Sequence, residues 1–290
     1  MEKVTNLKFS LQSFIPILVF LTIWVSTLVY LYLNEMNIWD YFEFIFLGVL
    51  GAIFANSTGA GGGVIFIPFF EHLALLDDQS RATSFAIQCF GMTAGAITWS
   101  LFFSKQNRLK EVYPKLNPTI TICSVGSVIG IWIVYGLDIS TPSELNHFFS
   151  IFSILLGICL FLSLNKKNNT SSLLTADYII LFVLSLIGGF ITAWLSVGIG
   201  EILALYLIFR GMCVTWSVAV AVIVSAITVW SAIPYHLIEP NIYWNIVIFA
   251  GPGAVVGGII ARYLALAISP KKLKTLFSVW VFLIGIAHFL

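Results

Sequence analysis

The sequence predicts an all-α polytopic membrane protein built from two inverted repeats. Each repeat is a broken helical hairpin followed by three transmembrane helices, and an extra transmembrane helix stands at the N-terminus. Three observations predict this. The chain of 290 residues is 59% hydrophobic and 9% charged, against about 45–50% and about 25% in soluble domains. Its apolar runs reach the roughly 20 residues that a spanning helix needs. The runs, and the glycine clusters between some of them, recur in the same order in both halves. This composition excludes a soluble enzyme. A net charge of +1 excludes a nucleic-acid reader, which concentrates basic charge on one face. The long runs also exclude an outer-membrane barrel, whose short segments alternate apolar and polar.

Lys3 and Lys8 precede an apolar run from about Leu11 to Leu33. That run exceeds the about 7–15 apolar residues of a secretory signal and has no small-x-small cleavage site, so residues 1–41 read as an N-terminal transmembrane helix and loop. Further runs follow at about 42–56, 62–76, 82–103, 116–136, 144–164, 177–195, 199–209, 211–233, 243–263 and 271–290. Runs 42–56, 62–76 and 199–209, and marginally 177–195, are too short to cross alone, and they flank glycine clusters in pairs. The polar stretch Asn165 to Thr175 divides the chain into repeat 1 (42–164), a cytoplasmic linker (165–176) and repeat 2 (177–290).

Charge sets the orientation, because Lys and Arg near span ends stay cytoplasmic. With a cytoplasmic N-terminus, 13 of the 14 Lys and Arg residues fall inside and only Arg81 falls outside. The acids Glu35, Asp40, Glu43, Asp77, Asp78, Asp138, Glu144 and Glu239 fall outside. This requires each pair of short runs to enter and leave on the same side. The expected location is the cell membrane, crossed several times.

The internal repeat is direct. FSIFSILLGICLFL from Phe149 matches FSVWVFLIGIAHFL from Phe277 at seven of fourteen positions. Ser57-x-Gly59-x-Gly61 matches Ser196-x-Gly198-x-Gly200, and Gly126-x-x-x-Gly130 matches Gly253-x-x-x-Gly257. By the charge assignment the first copy starts outside and the second inside. Inverted repeats of this kind carry their site at the repeat interface near mid-membrane.

The first glycine cluster, Asn56-Ser57-Thr58-Gly59-Ala60-Gly61-Gly62-Gly63, has four glycines in five positions. Irregular backbone at membrane depth is tolerated only where protein or a wet cavity satisfies its polar groups. The helix after such a turn aims free N–H groups and a positive dipole end into the gap, which suits an anion. The second cluster, Trp194-Leu195-Ser196-Val197-Gly198-Ile199-Gly200-Glu201, does the same from the opposite side. Two half-helix N-termini face to face make one anion site. Close packing is the plainer reading for Gly126/Gly130 and Gly253/Gly257, and Pro68 shapes the helix after the first turn.

With GAGGGVIFIP at Gly59 to Pro68, Arg81-Ala82-Thr83-Ser84 after it and a weaker second copy from Gly198, the chain from about 45 to 290 resembles the sulfite exporter TauE/SafE family. The resemblance implies transport of small sulfur-containing anions, sulfite or organosulfonates such as sulfoacetate. The second copy departs from the family pattern, because Glu201 stands where a further glycine is expected.

The candidate substrate-binding residues are Asn56, Ser57, Thr58, Gly59, Gly61, Gly62, Gly63, Thr83, Ser84 and Gln88 in the first half. Trp194, Ser196, Gly198, Gly200 and Ser217 are their second-half counterparts, with Thr215, Ser225 and Thr228 as further hydroxyls. Sulfur oxyanions need neutral donors such as hydroxyls, amides and backbone N–H groups, and Ser84 and Gln88 share a helix face. Against this, hydroxyls inside spans commonly bond a carbonyl one turn earlier. Glu201 is an intramembrane carboxylate and so a functional candidate. It either carries a coupling proton or caps its own half-helix. Arg81 either guides anions or pairs with Asp77 or Asp78.

Cys89, Cys123, Cys159 and Cys213 lie in apolar runs without metal spacing, and His72, His147, His236 and His288 are scattered. No metal, cofactor or catalytic set is expected, and neither is nucleic acid. The expected partners are a small anion, the bilayer and protons. The main reading is a secondary transporter working by alternating access. An anion channel uses the same helix dipoles. An intramembrane enzyme would need motifs such as HExxH or GxSxG, which the sequence lacks. An assembly factor without transport leaves the mirrored glycine turns unexplained.

Overall fold

The computed structural model describes residues 15–33, 38–105, 116–141, 145–162, 172–239 and 241–287. Lys3, Lys8, Arg108, Lys110, Lys115, Lys166, Lys167, Glu35, Glu144, His288 and most of the linker 165–176 lie outside the described residues. The chain forms two units, residues 1–43 and 44–290. The first contains helix α1 (Ile15–Leu33) and a 3-10 turn at Ile38–Tyr41.

The second unit is helical throughout its regular described elements. Its helices are α2 (Phe44–Thr58), α3 (Gly63–His72), α4 (Asp77–Lys105), α5 (Leu116–Gly136) and α6 (Leu145–Leu162) in the first half. The second half has α7 (Thr175–Leu195), α8 (Ile199–Phe209), α9 (Val214–Ile238), α10 (Trp244–Ala267) and α11 (Pro270–Ala287). Five of these, α4, α5, α7, α9 and α10, are long and apolar enough to cross a membrane. At 15, 10 and 11 residues, α2, α3 and α8 are shorter.

One expectation is corrected here. The run 177–195 is not too short to cross, because α7 is 21 residues long. Its helix begins ahead of the apolar run: the Asp177 carboxylate accepts the Leu174 N–H at 2.7 Å and so starts the helix at Thr175. The second hairpin therefore joins a full-length helix to a half-length one.

Both hairpins turn back to the end from which they start. In the first, Phe44 at the start of α2 meets Phe69 near the end of α3, ring centroids 6.1 Å apart. In the second, Asp177 at the start of α7 accepts from Arg210 Nε, just beyond α8, at 2.7 Å.

Packing partners exchange between the halves. Helix α10 lies along α2 and α4, and α5 lies along α7 and α9. Helix α4 packs against α9, and α6 pairs with α11. Small residues allow this, since lipid provides no hydrophobic drive and helices associate by close approach. A Cβ on Gly126 or Gly130 would meet the carbonyls of Phe182 (2.8 Å) or Leu186 (2.0 Å) of α7. A Cβ on Gly253 or Gly257 would meet the carbonyls of Ile45 (2.2 Å) or Val49 (2.3 Å) of α2. These are the packing roles expected of both pairs. The α6–α11 pair is reciprocal: Gly157 lies against Ser278 and Phe282, and Gly285 against Ser150 and Ile154. Contact positions rise along one helix as they fall along the other, so these sequence-equivalent helices run antiparallel.

Gly130→Ala is expected to push α5 off α7 and destabilise the protein by about 1–3 kcal/mol, the cost of overpacking against backbone. A thermal unfolding midpoint equal to wild type would contradict this.

Candidate functional site

The two glycine turns meet in the interior. Gly59 (φ +86°) ends α2 and Gly198 (φ +138°) precedes α8, both in backbone that L side chains rarely adopt. Ser196 closes α7 in the left-handed region at φ 57°. The turns pass within contact distance. A Cβ on Gly200 would lie 2.2 Å from the Gly59 carbonyl oxygen, and one on Gly63 would lie 2.5 Å from the Ser196 carbonyl oxygen.

At this crossing backbone N–H groups from both turns converge on one carboxylate. Gly61 N–H donates to Glu201 Oε1 and Gly198 N–H donates to Glu201 Oε2, each at 2.8 Å. Glu201 is fully buried. Neither the Arg81–Asp78 nor the Arg210–Asp177 ion pair among the described residues involves Glu201. Its two oxygens instead meet the N-terminal ends of α3 and α8, where orphan N–H groups and the helix dipole favour an anion. The protein's own carboxylate thus occupies the place where the sequence predicts an anion.

Gln88 of α4 fills the adjoining position. Its Oε1 accepts Gly62 N–H at 2.9 Å, and its Nε2 donates to Ser196 Oγ (2.8 Å), Ser84 Oγ (3.0 Å) and the Ser196 carbonyl (3.1 Å). The Ser196 hydroxyl donates to Ser84 at 2.9 Å. The i, i+4 spacing of Ser84 and Gln88 puts both on the face of α4 that meets the turns.

The structure therefore brings together Gly59, Gly61, Gly62, Gly63, Ser84, Gln88, Ser196, Gly198, Gly200 and Glu201. Ser225 Oγ also lies at the crossing, 2.7 Å from where a Cβ on Gly200 would be, and Thr58 Oγ1 accepts the Ala60 N–H of the first turn at 3.3 Å; other candidates make contacts elsewhere. Ser57 and Thr58 donate to the Phe54 carbonyl, and Ser217 to the Cys213 carbonyl. Thr83 accepts the Tyr243 N–H, and Asn56 Nδ2 donates to the Ala52 and Gly91 carbonyls. Two supporting residues escape sequence reasoning. Thr192 Oγ1 accepts Ile199 N–H at 3.0 Å, capping α8. Trp99 Nε1 donates to the Asn56 carbonyl at 3.0 Å, holding the end of α2. Neither carries a local signal, since each acts on a residue distant in sequence or lying beyond a turn.

A cavity of about 250 Å³ lies beside the second turn, lined by residues that include Arg81, Tyr135, Ala193, Trp194 and His236. Arg81 pairs with Asp78 and donates to the Trp194 carbonyl at 3.2 Å. This is the pairing reading of that residue, with an added tie to the second turn. His236 stacks on Phe85 at 4.8 Å and bonds the Tyr135 hydroxyl at 3.0 Å. Asp78, Asp138 and Glu239 line the same cavity, so three of the acids assigned to one side lie at one end.

A latch ties the start of α7 to the end of α8. Asp177 accepts from Arg210 Nε at 2.7 Å and from the Tyr206 hydroxyl at 2.8 Å, tying the far end of the half-helix that carries Glu201. Asp177→Asn is expected to weaken both this tie and the cap on Leu174, costing about 1–3 kcal/mol. The check is the thermal midpoint of the variant against Arg210→Gln, which breaks the tie and keeps the cap. Equal midpoints for Asp177→Asn and wild type would refute the latch.

Among the described residues no group of three or more His, Cys, Asp or Glu side chains is placed to hold a metal ion. No curated protein and no solved structure matches the chain. Residues 44–288 match the family model described as sulfite exporter TauE/SafE, and the chain belongs to that family of membrane transporters.

Proposed function

We propose that this protein is a secondary transporter of small sulfur-containing anions, sulfite or organosulfonates, working by alternating access across the cell membrane with a cytoplasmic N-terminus. One observation carries the reading. N–H groups from two abutting glycine turns converge on a single buried carboxylate. Glu201 acts as a tethered surrogate for the transported anion. While ionised it holds Gly61 and Gly198 and keeps the crossing shut. A protonated carboxyl retains one acceptor and turns its other oxygen into a donor, so one amide loses its partner and the site becomes available to a substrate oxygen. This makes transport proton-coupled.

Two features fit an inverted-repeat arrangement and support the same reading. Packing partners exchange between the halves, and the equivalent helices α6 and α11 run antiparallel. Such repeats allow one set of contacts to open to either side in turn. The vestibule beside Trp194 and the latch at Asp177 are the two gates of that cycle. The residues that would contact substrate are the crossing set around Gly61, Gly62, Gln88, Ser196 and Gly198. No catalytic role is assigned.

The test is counterflow of labelled sulfite and sulfoacetate in proteoliposomes with an imposed pH gradient. Saturable counterflow that responds to the gradient is expected. Ohmic, non-saturating currents would replace the carrier with a channel.

A further inference from the structure

We propose that Ser225 supplies the third hydrogen-bond donor of the anion site and selects three-oxygen sulfur anions over two-oxygen carboxylates; this rests on the transport reading above. An anomaly on one helix points to it. On α9 the hydroxyls of Ser217, Thr228 and Ser231 each donate to a carbonyl three or four residues earlier, at 2.7 to 2.9 Å. That is the ordinary fate of a hydroxyl inside a span. Ser225, on the same helix and 1% exposed, has no hydrogen-bond partner for its Oγ. Its hydroxyl is turned toward the second glycine turn, where a Cβ on Gly200 would lie 2.7 Å from it. The same Cβ would lie 2.2 Å from the Gly59 carbonyl oxygen, so the hydroxyl sits at the crossing itself.

Its separation from the tethered carboxylate leaves it idle. A carboxylate has two oxygens, and those of Glu201 take Gly61 N–H and Gly198 N–H. Each of these oxygens could accept a second bond, yet neither takes the Ser225 hydroxyl, which therefore stands beyond the reach of the tethered carboxylate. Sulfite and sulfonates present three oxygens in a pyramid. When such an anion replaces the Glu201 side chain, two oxygens take the two amides and the third takes the Ser225 hydroxyl. A buried donor without an acceptor is unfavourable, so the idle hydroxyl also biases the site toward the guest that satisfies it.

The experiment compares methanesulfonate with acetate, which share one negative charge and one methyl group and differ in oxygen count. Binding to the purified full-length protein is measured by calorimetry for wild type, Ser225→Ala and Ser225→Thr. Wild type is expected to prefer methanesulfonate. Ser225→Ala is expected to lose about tenfold or more of that affinity, as for a bond to a charged group, with acetate binding unchanged. Ser225→Thr, which keeps the hydroxyl, is expected to retain the preference. The ligand-free thermal midpoint of Ser225→Ala should equal or exceed that of wild type, because no folded-state bond is removed. Wild-type methanesulfonate affinity in Ser225→Ala overturns this inference and leaves transport standing. Ser225-dependent binding without methanesulfonate counterflow overturns transport and leaves the donor standing. Wild type that binds neither anion overturns both.

Discussion

Glu201→Gln is expected to abolish the response of sulfite flux to a pH gradient while leaving sulfite counterflow measurable. The amide of glutamine offers one acceptor where the carboxylate offers two. Either Gly61 N–H or Gly198 N–H, each now bonded at 2.8 Å, would face an NH2 group instead. An unsatisfied buried amide costs about 1–3 kcal/mol. The variant should therefore unfold at lower temperature. It also has no proton to exchange at this position, so a gradient has nothing to act on there. Glu201→Gly separates the two roles further. It restores the glycine that the first turn has at the matching place, Gly62, and removes the tethered competitor. Added sulfite should then raise the thermal midpoint more than in wild type, since a ligand that binds only the folded state stabilises it in proportion to its occupancy. A Glu201→Gln protein with undiminished pH dependence would remove the coupling role.

The glycine turns were legible in the sequence for a physical reason. Only glycine combines positive φ with close backbone approach, and Gly59 and Gly198 have that conformation. Gln88 was legible because i, i+4 spacing fixes a common face with Ser84. What fills the N–H groups was not. Glu201 sits three residues after Gly198, which suggests a local cap, and its Oε2 makes that bond. Its Oε1 reaches a glycine 140 positions away, a bond set by how the halves pack and not by any local pattern. The length of α7 was misjudged because its first turn is polar, and a hydropathy run begins only after Asp177 has capped the helix. Ser225 looked like its neighbours on α9, since the side chain's direction is not written in its spacing.

Gly200→Ala is expected to have the second large effect, loss of sulfite transport together with a lower unfolding temperature. The added methyl would sit 2.2 Å from the Gly59 oxygen, well inside contact distance. Neither side can yield cheaply. Gly59 is held at φ +86°, and its own Cβ position is already crowded by Ala221 at 3.1 Å. The turns must therefore separate, which stretches the bond from Gly61 N–H to Glu201 across the gap. Overpacking costs about 1–3 kcal/mol, and a broken buried bond adds about 1–3 kcal/mol. Gly136→Ala is the control, because no atom lies within 4 Å of its Cβ position. In a helix that change is neutral or stabilising by up to about 1 kcal/mol. Wild-type sulfite flux in Gly200→Ala would mean that the turns need not touch, and with that the convergence of their amides on one anion would lose its functional meaning.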